Sequence, residues 1–125
     1  MKTSYFASKN ISITDRTVAI CRHVPDWYKG PVYLELAPTV TMLGEYKRKS
    51  ITEEKFADQY TRHVLGNLNA RTVYKELVAI CGEGAVLLCY ERPGAFCHRR
   101  LVAQWLQDNL SIKVPELGHE YPTLF

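Results

Sequence analysis

The sequence predicts an α/β fold, with a mainly parallel sheet of about four strands flanked by helices in a single compact domain. Short β-branched or aromatic runs alternate with segments of helical periodicity along the chain. Residues 85–90 (AVLLCY) are apolar without polar alternation, which is typical of a strand covered on both faces. The 125 residues are the usual size of one domain, so we assign residues 1–125 to a single α/β domain.

The first third of the chain contains two predicted strands and a long loop. Residues 4–7 (SYFA) and 17–21 (TVAIC) are short runs that predict buried strands. Residues 24–38 include three prolines, which exclude long regular structure, but their aromatic content favours an ordered surface loop. Residues 39–46 then predict a short helix.

The middle of the chain predicts two longer helices. Ser50 with Glu53 three residues later is a capping-box signature, and the helix that it begins should end near Gly66. Asn69 is placed to cap the next helix, whose apolar stripe stops before Gly82. We therefore expect two amphipathic helices before the third strand.

The last third predicts a strand, a turn and a helix. Residues 91–96 include Pro-Gly and predict the turn, and residues 97–109 carry the apolar stripe of a helix. Residues 112–114 are a candidate edge strand. Strands separated by helices favour parallel pairing with right-handed crossovers.

Composition excludes several classes of protein. The formal charge of +3 comes from 16 basic and 13 acidic residues, a mixture too even to imply nucleic-acid binding by itself. No stretch approaches the roughly 18 apolar residues that a membrane span requires, and the N-terminus lacks the apolar run of a signal peptide. We expect a cytoplasmic protein with no membrane partner.

Four cysteines are present without a C-x-x-C pair, and we expect them to remain reduced thiols. Cys21, Cys81 and Cys89 fall within apolar runs or stripes, so we interpret them as core packing. A set formed by Cys89, Cys97 and His98 matches no familiar zinc spacing. The sequence therefore predicts no metal site, and it indicates no cofactor.

The candidate site lies where the predicted strands end. In parallel sheets the carboxyl ends of the strands and the N-termini of the following helices face one crevice. Arg22 and Glu91 follow two of the strands, and a helix start at residue 97 favours an anion such as phosphate. Arg22 and Arg99 would hold the anion, although Arg22 could instead form a salt bridge with Glu91.

The same helix start carries residues that can do chemistry. Cys97 is a candidate nucleophile, because a helix N-terminus lowers a thiol pKa, and His98 or Glu91 is the candidate acid or base. The alternatives are that Cys97 is buried packing and that His98 hydrogen-bonds the preceding loop. Trp27 and Tyr28 could stack on a base or sugar, or equally pin their loop to the domain.

These residues resemble an uncharacterised family, the domain of unknown function numbered four-eight-eight. The resemblance rests on a strand-C-x-E segment, a Pro-containing turn, C-H-R at a helix start and an apolar stripe: Cys89, Glu91, Pro93, Cys97, His98, Arg99 and residues 101–106. AICRHVP and LAPT, at residues 19–25 and 36–39, are similar to the family more diffusely. The resemblance implies a compact α/β fold and a site formed by Arg22, Glu91, Cys97, His98 and Arg99, without an established activity.

Three functional hypotheses follow. The first is a small enzyme that binds a phosphate-containing, nucleotide or nucleic-acid ligand at the Cys-His-Arg helix start and catalyses hydrolysis or group transfer. The second is a non-catalytic module that senses a nucleotide in the same cleft. The third is a protein-interaction module that uses residues 27–36 and the C-terminal HEYPTLF, residues 119–125. The oligomeric state is left open.

Overall fold

The structure, a computed structural model, describes residues 1–12, 15–90 and 97–118. Its regular elements are β1 (Lys2–Tyr5), β2 (Thr17–Ala19), α1 (Val40–Lys47), α2 (Glu53–His63), α3 (Ala70–Cys81), β3 (Val86–Cys89) and α4 (His98–Leu110). Single 3₁₀ turns lie at Leu34–Leu36 and Leu65–Asn67. The predicted α/β class is confirmed. In this part of the chain no helix has both the length and the apolar character needed to cross a membrane.

The three strands form one parallel sheet with β3 in the centre. The order is β1-β3-β2, and the register places Thr3 opposite Leu87 and Ala19 opposite Leu88. Every residue of β3 is buried, as expected of an apolar run without polar alternation. Because all three strands run in the same direction, their carboxyl ends meet at one edge of the sheet.

The expected strand number of about four is slightly too high, since the described residues form three strands. Residues 112–114 do not form a strand, because the Val114 N–H donates to the Gln107 side chain at 2.8 Å and not to a neighbouring strand. The segment pairs with the sheet only at the isolated bridge between Thr3 and Glu116. Here the Thr3 N–H donates to Pro115 O at 2.9 Å, and the Leu117 N–H donates to Thr3 O at 2.7 Å.

Side-chain caps fix the starts of α2 and α3. Asn69 caps α3 as predicted by accepting from the Thr72 N–H at 3.0 Å, and Gly82, with φ of +84°, ends this helix. The cap predicted at Ser50 is wrong. Thr52 caps α2 instead, and its hydroxyl accepts from the Lys55 N–H at 3.1 Å. The correct cap therefore stands next to the first helical residue, Glu53.

Tyr60 on α2 supports the core beneath the site described below. The side chain is fully buried, and its hydroxyl donates to Leu36 O at 2.6 Å. Tyr60→Phe removes this donor, and we expect the free energy of unfolding to fall by about 1–2 kcal/mol because the carbonyl stays buried. Urea denaturation monitored by circular dichroism measures the change. An unchanged midpoint would show that this hydrogen bond adds no net stability.

Candidate functional site

A cavity of about 420 Å³ opens at the carboxyl ends of β2 and β3, next to the start of α4. This volume suits a small-molecule ligand. One side of the cavity is formed by the segment after β2, the end of β3 and the start of α4. The other side is formed by α1 and α2. The lining residues are Cys21, Arg22, His23, Pro38, Leu43, Tyr46, Lys47, Phe56, Cys89, Tyr90, Cys97 and His98.

Three thiols converge on this cavity from three segments of the chain. Cys89 is the last residue of the central strand, Cys21 lies two residues beyond β2, and Cys97 is the N-cap of α4. All three are buried and unpaired by disulfides. Parallel pairing brings the first two together, and α4 starts beside them. Residues far apart in the sequence therefore form one thiol cluster.

His98 is held in one orientation by the backbone. Its Nε2 lies 2.6 Å from Ile20 O, and a carbonyl oxygen can only accept, so Nε2 carries a proton. In the neutral ring Nδ1 then presents a lone pair. That atom lies 3.5 Å from the Cys89 Sγ and 4.0 Å from the Cys97 Sγ. The imidazole of His98 is thus placed to accept a proton from either thiol.

The thiols influence one another's ionisation. Hydrogen bonding to Cys89 lowers the pKa of Cys21, although burial opposes this. Hydrogen bonding to Cys21 raises the pKa of Cys89 to about 12, and burial adds to the effect. Hydrogen bonding to Cys89, together with burial, likewise raises the pKa of Cys97 to about 12 against the opposing influence of His98. These contacts favour the neutral forms of Cys89 and Cys97, so the lowered pKa that the helix start predicted for Cys97 is wrong.

The cavity carries basic side chains and no acidic ones among its described lining residues. Arg22 is held in place by a hydrogen bond from its Nε to Pro38 O at 2.9 Å. Lys47 belongs to the last turn of α1, and His23 follows Arg22 beyond β2. No described side chain caps α4, whose positive dipole end faces this region. This distribution of charge favours an anion.

Arg99, predicted as an anion ligand, does not line the cavity. Only 1% of its surface is exposed, and its guanidinium binds Glu116 through Nε to Oε1 at 3.1 Å and Nη2 to Oε2 at 2.9 Å. It also lies over the Tyr5 ring, with its central carbon 5.9 Å from the ring centroid. The arginine of the C-H-R motif thus ties the start of α4 to the segment beside β1.

The aromatic pair predicted to stack on a ligand lies beside the cavity and does not line it. Trp27 and Tyr28 both pack edge-on against Phe6, and Phe6 packs against Tyr90, which does line the cavity. Trp27 is 63% exposed. The predicted acid or base Glu91, and the C-terminal segment 119–125, fall outside the described residues.

The structure brings together Arg22, Cys97 and His98 among the predicted site residues, and it adds some that the sequence analysis missed. Cys21 and Cys89 were interpreted as core, which is correct as to burial but incomplete, since both also line the cavity. Their positions at the carboxyl ends of two strands were the available signal. Nothing in the sequence pattern indicated Lys47.

The family can now be stated from comparison with known proteins. Residues 9–110 match the family model described as the active DUF488-N3 subclade. Neither the curated proteins nor the solved structures include a match to the chain. The matched segment contains all the described residues that line the cavity. It covers most of the chain and confirms the resemblance noted in the sequence, so the chain belongs to the DUF488 family.

Proposed function

We propose that the cavity binds a small phosphate-containing molecule, such as a nucleotide or a nucleic-acid end, and that the chain is an enzyme acting on it by hydrolysis or group transfer. The observation that carries this proposal is the orientation of His98, whose Nδ1 faces the Cys97 thiol in a cavity with a basic lining. A cytoplasmic location, where thiols stay reduced, belongs to the same proposal.

The lining supports an anionic ligand with an apolar part. Arg22 and Lys47 supply positive charge, and the start of α4 adds backbone N–H donors. Pro38, Leu43 and Phe56 form an apolar wall that a base or another ring could contact. The phosphate would bind beside Arg22 and the start of α4, with the apolar portion against Leu43 and Phe56.

The thiol and imidazole would act as a nucleophile and base. The Cys97 Sγ forms a bond to the electrophilic atom of the ligand while its proton passes to His98 Nδ1. The leaving group departs with the bonding electron pair and takes that proton from the imidazolium. Water, or an acceptor in group transfer, then displaces the Sγ and restores the thiol. A neutral resting thiol is compatible with this sequence, because deprotonation accompanies the attack.

A non-catalytic ligand sensor is the second candidate function. It is favoured by the pKa values of Cys89 and Cys97, which hydrogen bonding within the thiol cluster and burial raise to about 12. Cys97→Ser separates the two candidates. If the chain is an enzyme, the wild type turns over members of a panel of phosphate esters, and Cys97→Ser loses this turnover but still binds ligand. If the chain is a sensor, the wild type itself shows no turnover.

Arg22→Ala is expected to weaken anion binding about tenfold, because it removes a charged donor from the cavity. The test measures the melting temperature of the chelator-treated protein against increasing inorganic phosphate and AMP. Arg71→Ala is the matched control, since Arg71 is exposed on α3, which supplies no described lining residue. Absence of stabilisation by either anion, or equal affinity in the two variants, would refute anion binding at this cavity.

A further inference from the structure

We infer that Cys89, Cys97 and His98 form a binding site for a soft divalent transition metal, with Zn²⁺ as the expected ion, and that the fourth coordination position opens to the cavity. This inference goes beyond the proposed function and does not rest on it. It also departs from the expectation drawn from the sequence, where the spacing of these residues matches no familiar zinc motif.

The geometry of the three ligand atoms suits a tetrahedral ion. The two Sγ atoms and one imidazole nitrogen all lie within 4.8 Å of one another. Zn–S bonds of about 2.3 Å and Zn–N bonds of about 2.0 Å require sulfur and nitrogen to lie about 3.6 Å apart at a tetrahedral angle. The observed separations from His98 Nδ1 are 3.5 Å to Cys89 and 4.0 Å to Cys97. Both separations lie within a few tenths of an ångström of the tetrahedral value, and the two sulfurs would bind one ion at a mutual distance of about 3.8 Å.

The surroundings of His98 are those of a metal-binding imidazole. Histidine ligands commonly donate the other ring N–H to a backbone carbonyl, which fixes the tautomer and turns the lone pair toward the metal. His98 makes this contact to Ile20 O at 2.6 Å. The edge of its ring also packs against Tyr60, with centroids 5.3 Å apart. The ring is therefore oriented before any ion binds.

Charge does not oppose the ion despite the basic lining. Binding releases the protons of Cys89 and Cys97, so Zn²⁺ with two thiolates and a neutral imidazole has no net charge. Three protein ligands with one open position are typical of catalytic zinc rather than structural zinc. The fourth position would accept water or an oxygen of an anionic ligand. Bound Zn²⁺ would also occupy Cys97, so the metal-bound and free-thiol forms would differ in reactivity.

Cys21 is not one of the proposed metal ligands, because its thiol is engaged elsewhere. Its thiol donates to His23 O at 3.0 Å, and its sulfur does not belong to the group of mutually close ligand atoms. Cys81 lies outside the cavity, where its thiol donates to Thr17 O at 3.2 Å. Cys81, outside the thiol cluster, therefore provides the matched control for substitution.

Titration of the reduced, metal-free full chain with Co²⁺ tests the inference. We expect one equivalent to bind with sulfur-to-cobalt charge-transfer absorption and the intense visible bands of a tetrahedral ion, and Zn²⁺ to displace it. Cys89→Ser, Cys97→Ser and His98→Gln should each weaken binding at least about 100-fold. Cys81→Ser should retain both affinity and absorption. Absence of charge-transfer absorption in the wild type, or wild-type affinity in any one of the three ligand variants, would overturn the inference.

X-ray absorption of the zinc-loaded wild type provides a measurement that needs no variant. The inference predicts two sulfurs at about 2.3 Å with one nitrogen at about 2.0 Å, and a light atom in the fourth position. A shell of oxygen and nitrogen alone, or one of three or more sulfurs, would contradict it. Because no anion is added here and the phosphate titration is run with chelator, the two proposals can fail independently.

Discussion

Glu116→Gln is expected to lower the free energy of unfolding by about 3–5 kcal/mol, because it leaves the buried Arg99 guanidinium without a charged partner. Both carboxylate oxygens of Glu116 accept from Arg99, and Oε1 also accepts from the Thr3 hydroxyl at 2.6 Å. The Arg99 Nη1 is already buried without a hydrogen bond. The carboxylate is therefore the main compensation for a cation removed from water. Urea unfolding of the wild type and the variant measures the loss.

Asp58→Asn is the matched control for this experiment. It neutralises the carboxylate that pairs with Arg62 at 3.2 Å on α2, where both side chains are more than half exposed. Water and salt screen such a pair, so we expect the free energy of unfolding to change by no more than about 0.5 kcal/mol. Equal effects of Glu116→Gln and Asp58→Asn would show that the buried Arg99 pair contributes no more to stability than an exposed pair.

The Arg99 pair also bears on the site, although Arg99 does not line the cavity. Arg99 follows His98 directly and joins α4 to the segment beside β1. Loss of the pair should loosen the start of α4, and with it the hydrogen bond from His98 to Ile20. We therefore assign Arg99 the role of a positioning residue and do not propose that it binds the anion.

His98→Gln is expected to slow the alkylation of Cys97 by iodoacetamide about 100-fold in chelator-treated protein, because the imidazole is the proton acceptor that faces the thiol. Glutamine retains a side-chain N–H donor in place of the imidazole N–H, and circular dichroism verifies the fold. Mass spectrometry of the alkylated peptides measures the rate at each cysteine separately.

His63→Gln controls for the loss of a histidine as such. His63 is exposed at the end of α2 and does not line the cavity. Its substitution should leave the alkylation rate of Cys97 unchanged. A folded His98→Gln protein whose Cys97 reacts as fast as in the wild type would remove His98 from the role of base.

Local patterns were sufficient to predict the elements that hold the site. The apolar run of β3 and the stripe of α4 reflect burial that short-range sequence encodes, and both elements lie within a residue or two of the predicted bounds. The carboxyl ends of parallel strands lie at one edge of the sheet, and this rule correctly predicted that Arg22 lies near the start of α4. Cys97 and His98 were found because they stand at that helix start.

The remaining features depend on packing between distant segments, which periodicity does not report. The partner of Arg99 is Glu116, and the two meet only because the chain after α4 runs beside β1 through a single bridge. Lys47 reaches the cavity because α1 packs across from the ends of the strands. The pattern around Cys89 indicated burial, but a buried residue at the end of a strand can also line a cavity.

We propose that the cavity at the ends of β2 and β3 binds an anion beside the thiols and His98. Titration of ¹⁵N-labelled, chelator-treated protein with inorganic phosphate, followed by NMR, tests it most directly. We expect saturable shifts of the backbone amides of Arg22, His23 and His98, with about tenfold weaker binding in Arg22→Ala. Saturable shifts confined to amides elsewhere, or no saturable shifts at all, would contradict it.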